Sequence, residues 1–206
     1  MTTNPLVIVV DDDPGLRNAM RILLKTVELE SIQFASAEDF LAAYQPSQPG
    51  CLVLDIRMPG MSGLELQQHL NLRGAVIPVI FMTAHGDIPM AVAAMKQGAF
   101  DFLQKPFRDQ DLLARIRRAI DKDSVMRQSL GEHARIKANL ESLTPREREV
   151  LDQMTRGKQN KSIAQDLGVS PRTVEIHRAR VMKKMNTQSV AELVRMMLDL
   201  GNETTP

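Results

Sequence analysis

The chain is expected to fold as a doubly wound α/β domain with a five-stranded parallel sheet, followed by a small all-α domain. Three observations carry this. Over the first 120 residues, short apolar runs ending in polar residues alternate with amphipathic stretches. After Leu143 the strand signal disappears and short, capped helical segments follow one another. The charge also divides along the chain. Residues 1–122 carry 12 Lys+Arg against 14 Asp+Glu, whereas residues 156–186 carry 8 against 2, although the whole 206-residue chain nets only +1.

Leu6–Val10, residues 52–54 and residues 79–82 are aliphatic or β-branched, as strands buried on both faces are. Residues 31–35 and 100–103 complete five. Asp13 is a natural N-cap with Pro14 at the first helical position, and Leu16, Ala19, Met20, Leu23, Leu24 and Val27 recur at helical spacing behind it. Gly98 closes the helix before the fifth strand. Strands alternating with helices require right-handed crossovers and hence a parallel sheet. From Asp109 to about residue 140 the pattern is helical. Leu112, Leu113, Ile116 and Ile120 form a stripe that thins to Val125, Met126, Leu130, Ile136 and Leu140. A coiled-coil seam there is opposed by Gly131 and the surrounding charges. The expected division is a first domain over residues 1–122, a helical linker over 123–141 and a second domain over 142–206.

Four short helices fill the second domain. Thr144-Pro145-Arg146-Glu147 is a capping box with Pro at the first position, Ser170-Pro171 starts another helix, and Ser189-Val190-Ala191-Glu192 reads as a second box. No apolar run reaches the roughly 20 residues of a membrane span. The stretch Met-Thr-Thr-Asn-Pro has no basic region, and Leu6–Val10 is too short for a signal peptide. One cysteine, Cys51, excludes an internal disulfide, and the scattered His69, His85, His133 and His177 do not suit a zinc site. The expected location is the cytoplasm, with no membrane partner.

The chemistry gathers at strand ends. The first strand ends in Asp11-Asp12-Asp13 and the third in Asp55. In a doubly wound sheet, ligands bind at the carboxyl ends of strands where the winding reverses. If strands one and three are neighbours, Asp11, Asp12 and Asp55 converge there. Three carboxylates in one pocket call for a cation, and an all-oxygen set suits Mg²⁺ or Mn²⁺. A carboxylate beside such an ion can itself be the nucleophile for phosphoryl transfer, forming an acyl phosphate. Lys105 and Thr83, at the ends of the fifth and fourth strands, would hold the phosphoryl oxygens. Taken singly, an Asp triplet after a strand is ordinarily turn and cap, and Asp13 is read as cap only. Together they differ from turn and cap residues in that all of them fall on one edge of one sheet.

Val10-Asp11-Asp12, Leu54-Asp55-Ile56-Arg57-Met58-Pro59-Gly60, Met82-Thr83-Ala84 and Lys105-Pro106-Phe107, in that order, closely resemble a receiver domain of two-component signalling, a flavodoxin-like fold. The resemblance implies phosphorylation of Asp55 by a sensor histidine kinase. Asp12 and Asp55 would bind Mg²⁺ directly, Asp11 through water and Arg57 by its backbone carbonyl. It also implies that the Lys105-Pro106 bond is usually cis and that Thr83 and Phe102 form the switch. The stretch Ala84-His85-Gly86-Asp87-Ile88-Pro89 resembles the FixJ-like subfamily.

In the second domain a helix over Asn160–Leu167, a turn at Gly168 and a helix from Ser170-Pro171 have helix-turn-helix spacing. On the second helix Arg172, Thr173, Glu175, Ile176, Arg178, Ala179 and Arg180 include groups able to meet phosphates and base edges, and Lys161 and Lys183 add backbone contacts. A solvated face on a small helical bundle is the plainer alternative from charge and spacing alone. The runs from Leu143 to Leu151, Asn160 to Ala164 and Val169 to Arg178 resemble the LuxR-type DNA-binding domain. With the receiver ahead of it, the chain resembles NarL/FixJ-family response regulators, nearest the FixJ-like branch. Many LuxR-type domains carry Lys where this one has Glu175, and Ala179 replaces another common basic residue. The implied partners are a sensor histidine kinase, double-stranded promoter DNA, RNA polymerase and, once phosphorylated, a second copy of the chain; the expected effect is activation of transcription. Leu193, Val194, Met196 and Met197 of the last helix would serve pairing or core equally well.

An enzyme reading competes, because Asp11-Asp12-Asp13 contains the Asp-x-Asp of aspartyl phosphatases of the haloacid dehalogenase type. Those carry Thr or Val where this chain has Gly15, and they use no acceptor on a third strand. A sigma-factor-like subunit shares the DNA-binding helices but not the domain ahead of them. The chain is therefore read as a regulator and not an enzyme.

Overall fold

The computed structural model describes residues 4–83 and 88–201. The chain divides into two compact units, Met1–Gln128 and Ser129–Pro206.

The first unit runs β1 (Leu6–Val10), α1 (Pro14–Thr26), β2 (Glu30–Phe34), α2 (Ala37–Ala43), β3 (Gly50–Asp55), α3 (Gly63–Leu72), β4 (Val79–Thr83), α4 (Ile88–Lys96) and β5 (Asp101–Gln104), then enters α5 (Asp109–Glu141). The strands form one parallel sheet in the order β2-β1-β3-β4-β5. The winding reverses between β1 and β3, and β3, next to that point, is buried at every residue. Side chains alternate across the sheet. Ile8, Leu52, Leu54 and Phe81 pack with Phe40, Leu66, Leu70 and Ala94 of α2, α3 and α4. Val9, Val53, Ile80 and Met82 pack with Met20, Leu24, Leu112 and Ile116 of α1 and α5. All five expected strands are present, with ends that differ by one or two residues.

Asp13 caps α1 as expected, accepting the N–H groups of Gly15 and Leu16. The α1 stripe is narrower than its spacing implied, with Met20 and Leu24 buried and Ala19 exposed. Gly98 follows α4 with φ 92°. Among residues 84–89, the FixJ-like stretch, 84–87 lie outside the described residues. No helix among the described residues is long and apolar enough to cross a membrane.

The second unit takes the end of α5 and adds α6 (Pro145–Thr155), α7 (Asn160–Leu167), α8 (Pro171–Lys184) and α9 (Val190–Gly201). Its core is built from Leu143, Val150, Met154, Ile163, Val181 and Leu193, and it includes Ile136 of α5. The Thr144 capping box forms in both directions. The second box does not. Ser189 Oγ accepts from Glu192 N, but the Glu192 carboxylate reaches back to Gln188 N at 3.2 Å and Thr187 Oγ1 at 2.6 Å instead. A buried Thr187 hydroxyl outbids the exposed N-cap N–H for that carboxylate. In α9, Leu193 and Met196 are core residues, which decides that alternative for these two, while Leu198 stands 62% exposed.

Candidate functional site

The register Val10↔Leu54 sets the next residues side by side, Asp11 just past the end of β1 and Asp55 as the last residue of β3. One carboxylate oxygen from each of Asp11, Asp12 and Asp55 lies within 4.8 Å of the others. Asp11 is fully buried, Asp55 nearly so, and Asp12 is exposed. Two oxygens of the set are already bridged, since Lys105 Nζ lies 2.8 Å from Asp11 Oδ2 and 3.1 Å from Asp55 Oδ1. Burial pushes the Asp55 carboxyl above the usual carboxylate range; Lys105 pulls it back, and Asp11 and Asp12 add to the rise. For Lys105, burial favours losing the proton, but the hydrogen bonds and charges of Asp11 and Asp55 outweigh it and hold the pKa above the ordinary value. A hard divalent cation fits this donor set, since three converging carboxylates carry more negative charge than one ammonium offsets.

The main chain supports the same spot. Lys105 N donates to Thr83 O at 2.7 Å, Ile56 N to Met82 O at 3.1 Å, and the Lys105-Pro106 bond is cis. Thr83 is buried at the end of β4. Its register partner is Gln104, and Phe81 pairs with Phe102, so Thr83 and Phe102 face the same side of the sheet. Phe102 is 41% exposed, as is Met95 of α4, and Val92 is more so.

In the second unit, the Gly168 turn is left-handed with φ 64°, and Ser170 Oγ caps α8 through Thr173 N. Val174 and Val181 anchor α8 in the core. Its opposite face presents Glu175, Ile176 and Ala179 to solvent, with Ile176 44% exposed. Arg172 Nη1 pairs with Glu175 Oε2 at 3.2 Å. Arg178 is half-buried, while Lys161, at the start of α7, and Lys183 are exposed. At the base of this unit Glu147 is buried, with Oε2 2.7 Å from Lys184 Nζ and 2.9 Å from Thr144 N.

Comparison with known proteins agrees with both halves. Residues 7–117 match the family described as the response regulator receiver domain, and residues 141–197 match the bacterial regulatory proteins of the luxR family. The chain belongs to the response regulators. This response regulator is 47% identical to the transcriptional regulatory protein FixJ of Azorhizobium caulinodans, over 94% of its own length and 92% of the relative's. It is 45% identical to nodulation protein W of Bradyrhizobium diazoefficiens, over 97% of its own length and 88% of the relative's. Its fold is similar to the solved response regulator StyR with a TM-score of 0.89 at 46% identity, covering 95% of this chain and 98% of that one. It is a two-component transcription regulator with a receiver and a LuxR-type helix-turn-helix DNA-binding domain.

In this response regulator the structure brings Asp11, Asp12, Asp55, Lys105 and Thr83 to one edge of the sheet. Several residues escaped the sequence reading. Gly63, at the start of α3, packs so tightly under the end of β3 that a Cβ there would sit 2.2 Å from Asp55 O. Glu38 of α2 takes the Met61 N–H at 3.0 Å, and Arg17 of α1 donates to Asp11 O at 2.6 Å. Neither has a sequence signature, because each meets a main-chain group, Arg17 by turning back along its own connection and Glu38 in the loop before α3, and main-chain partners leave no mark in the residue pattern.

Proposed function

We propose that Asp55 is the phosphoryl acceptor of this response regulator and that the acyl phosphate formed there promotes pairing of two chains and binding to promoter DNA. The observation that carries the reading is the convergence of Asp11, Asp12 and Asp55 within 4.8 Å, bridged by Lys105. Asp12 and Asp55 side chains and the Arg57 carbonyl would hold Mg²⁺ (or Mn²⁺), with Asp11 acting through water. A bound divalent cation would neutralise the carboxylates and the charge developing on the phosphoryl oxygens. A carboxylate oxygen of Asp55 attacks phosphorus on a phosphohistidine of a sensor kinase. The P–O bond to Asp55 forms as the P–N bond breaks, and the electron pair leaves with the imidazole. Lys105 moves its donors from the carboxylates to the phosphoryl oxygens, and the Thr83 hydroxyl donates to another.

The shared face of Thr83 and Phe102 supports a relay outward to α4 and β5, where Val92, Met95 and Phe102 are exposed apolar side chains. A second copy pairing there would bury them. Residues 1–122 and 142–206 are the receiver and DNA-binding domains, with 123–141 between them. On DNA, Glu175, Ile176 and Ala179 face base edges, while Lys161, Arg172, Thr173, Arg178 and Lys183 grip the backbone. The regulator acts in the cytoplasm, with RNA polymerase as a further partner and activation as the outcome, and it turns over no small substrate.

Incubation with acetyl phosphate and Mg²⁺ is expected to add one phosphate by mass, with none on Asp55→Asn; a full adduct on that variant sinks the assignment. Sedimentation with beryllofluoride is expected to show a dimer that Phe102→Asp abolishes. An unchanged monomer with enhanced DNA binding refutes the pairing step.

A further inference from the structure

The side chain of Arg17 runs against the preference of its own helix. It lies at the fourth position of α1, whose first turn contains no acidic residue, and a cation near a helix N-terminus opposes the helix dipole. Instead of leaving for solvent, the half-buried guanidinium turns back over the end of β1 and donates from Nη1 to the main-chain oxygen of Asp11 at 2.6 Å. That oxygen lies one residue past the β1 ladder, on a residue with no exposed surface. A buried carbonyl in that position needs a donor from elsewhere.

The remaining polar groups of Asp11 are held as well. Its N–H donates to Phe34 O at 3.3 Å, Oδ1 accepts from Asp13 N at 2.8 Å, and Oδ2 accepts from Lys105 at 2.8 Å. Asp12 lies between two pinned points, the Asp11 carbonyl and the Asp13 N–H. With both fixed, the Asp12 backbone has little freedom left, and its carboxylate is directed into the acidic cluster. We propose that Arg17 is a positioning residue for the divalent-cation site, holding the Asp11 carbonyl so that Asp12 faces the cation. The inference rests on the cation site described under Proposed function. Lys105 and Arg17 then divide the cationic work. Lys105 occupies carboxylate oxygens directly, whereas Arg17 binds a main-chain oxygen and leaves the carboxylates open.

The sign of the effect separates positioning from plain charge. Removing a positive charge beside three carboxylates tightens cation binding if charge alone matters. Losing the clamp weakens it instead. The full-length protein is titrated with Mn²⁺ and the free-ion electron paramagnetic resonance signal followed, with thermal unfolding in metal-free buffer as the folding control. Arg17→Ala is expected to weaken Mn²⁺ binding about tenfold, the usual scale for losing an outer-shell partner, without a matching loss of fold. Arg17→Lys, which keeps a donor of similar reach, is expected to recover most of it. If Arg17→Ala does not fold, Arg17→Gln carries the same test. Unchanged or tighter Mn²⁺ binding in the folded variant overturns the proposal. Asp12→Ala serves as the reference. If it too binds like wild type, the cation site falls and the role of Arg17 with it; if it loses Mn²⁺ while the Arg17 variant does not, only the role of Arg17 falls.

Discussion

The Asp123 carboxylate accepts the main-chain N–H of Gly50 at 2.8 Å, tying α5 to the first residue of β3. Arg127 completes the arrangement. Its Nε lies 2.7 Å from the same Asp123 oxygen, and its two terminal nitrogens donate to Pro46 O and Gln48 O, both at 2.8 Å. Asp123 is 1% exposed. Asp123→Ala is expected to destabilise the receiver by about 3 kcal/mol, because breaking a buried pair leaves a cation and an N–H uncompensated. Asp123→Asn, which keeps an acceptor for Gly50, should cost less. Urea unfolding of the full chain measures both, and equal costs would show that the charge on Asp123, not its acceptance of the Gly50 N–H, carries the interaction. Gly50 itself admits no side chain, since its φ is 143° and a Cβ would meet Leu6 O at 1.9 Å.

Asp55→Asn is expected to make the metal-free protein more stable at neutral pH. Burial and the neighbouring carboxylates raise the Asp55 pKa in the folded state. A raised folded pKa stabilises below the unfolded value and is lost as pH rises through the folded one, so the ionised carboxylate works against folding at neutral pH. Neutralising it should lift the thermal midpoint, by about 2–4 °C per kcal/mol recovered in a chain of this size. Added Mg²⁺ should close the gap, because it stabilises only the protein that binds it. A lower midpoint for Asp55→Asn in chelator contradicts this account of the site.

Glu147 sets an acid limit for the second unit. The hydrogen bond from Lys184, then that from Thr144 N, hold its carboxyl down to about 2. A depressed folded pKa contributes stability that is present above the unfolded value and lost as pH falls through the folded one. The cost of Glu147→Gln should therefore be full above about pH 4.5 and shrink toward pH 2. Denaturant midpoints of both proteins at neutral pH and near about pH 3 test this. A gap that widens on acidification contradicts the sign.

Glu175 and Lys161 should separate base reading from backbone grip. Glu175, exposed on α8, is expected to accept from a cytosine amino group, and Ile176 and Ala179 to meet thymine methyls. Glu175→Ala should change sequence preference by about 1–3 kcal/mol per lost pair. Lys161→Ala should weaken all sequences alike and lower the salt slope by about one. Binding to cognate and scrambled duplexes across a salt series decides. Altered preference in the Lys161 variant, with preference intact in the Glu175 variant, would show that α8 docks differently.

Much of this was legible because it is local. The strands announce themselves as apolar runs because both faces of the sheet are covered. Asp13, Thr144 and Ser170 act within three residues of themselves, so their caps could be read directly. The Glu192 box failed because a nearby threonine hydroxyl competed for the carboxylate, a choice made by burial and not by spacing.

The sequence by itself determined the alternation of strands with helices, the placement of Asp11, Asp12, Asp55, Thr83 and Lys105 at strand ends, and the helix-turn-helix around Gly168. Those follow from periodicity, caps and turns, whose range is a few residues. The strand order β2-β1-β3-β4-β5 came from the fold. Only the tertiary structure decided that Lys105 bridges Asp11 and Asp55, that Arg17 clamps the Asp11 carbonyl, and that Asp123 meets Gly50 across 73 residues. A buried polar group must find a partner wherever packing brings one within about 3 Å, and sequence separation places no limit on where that is.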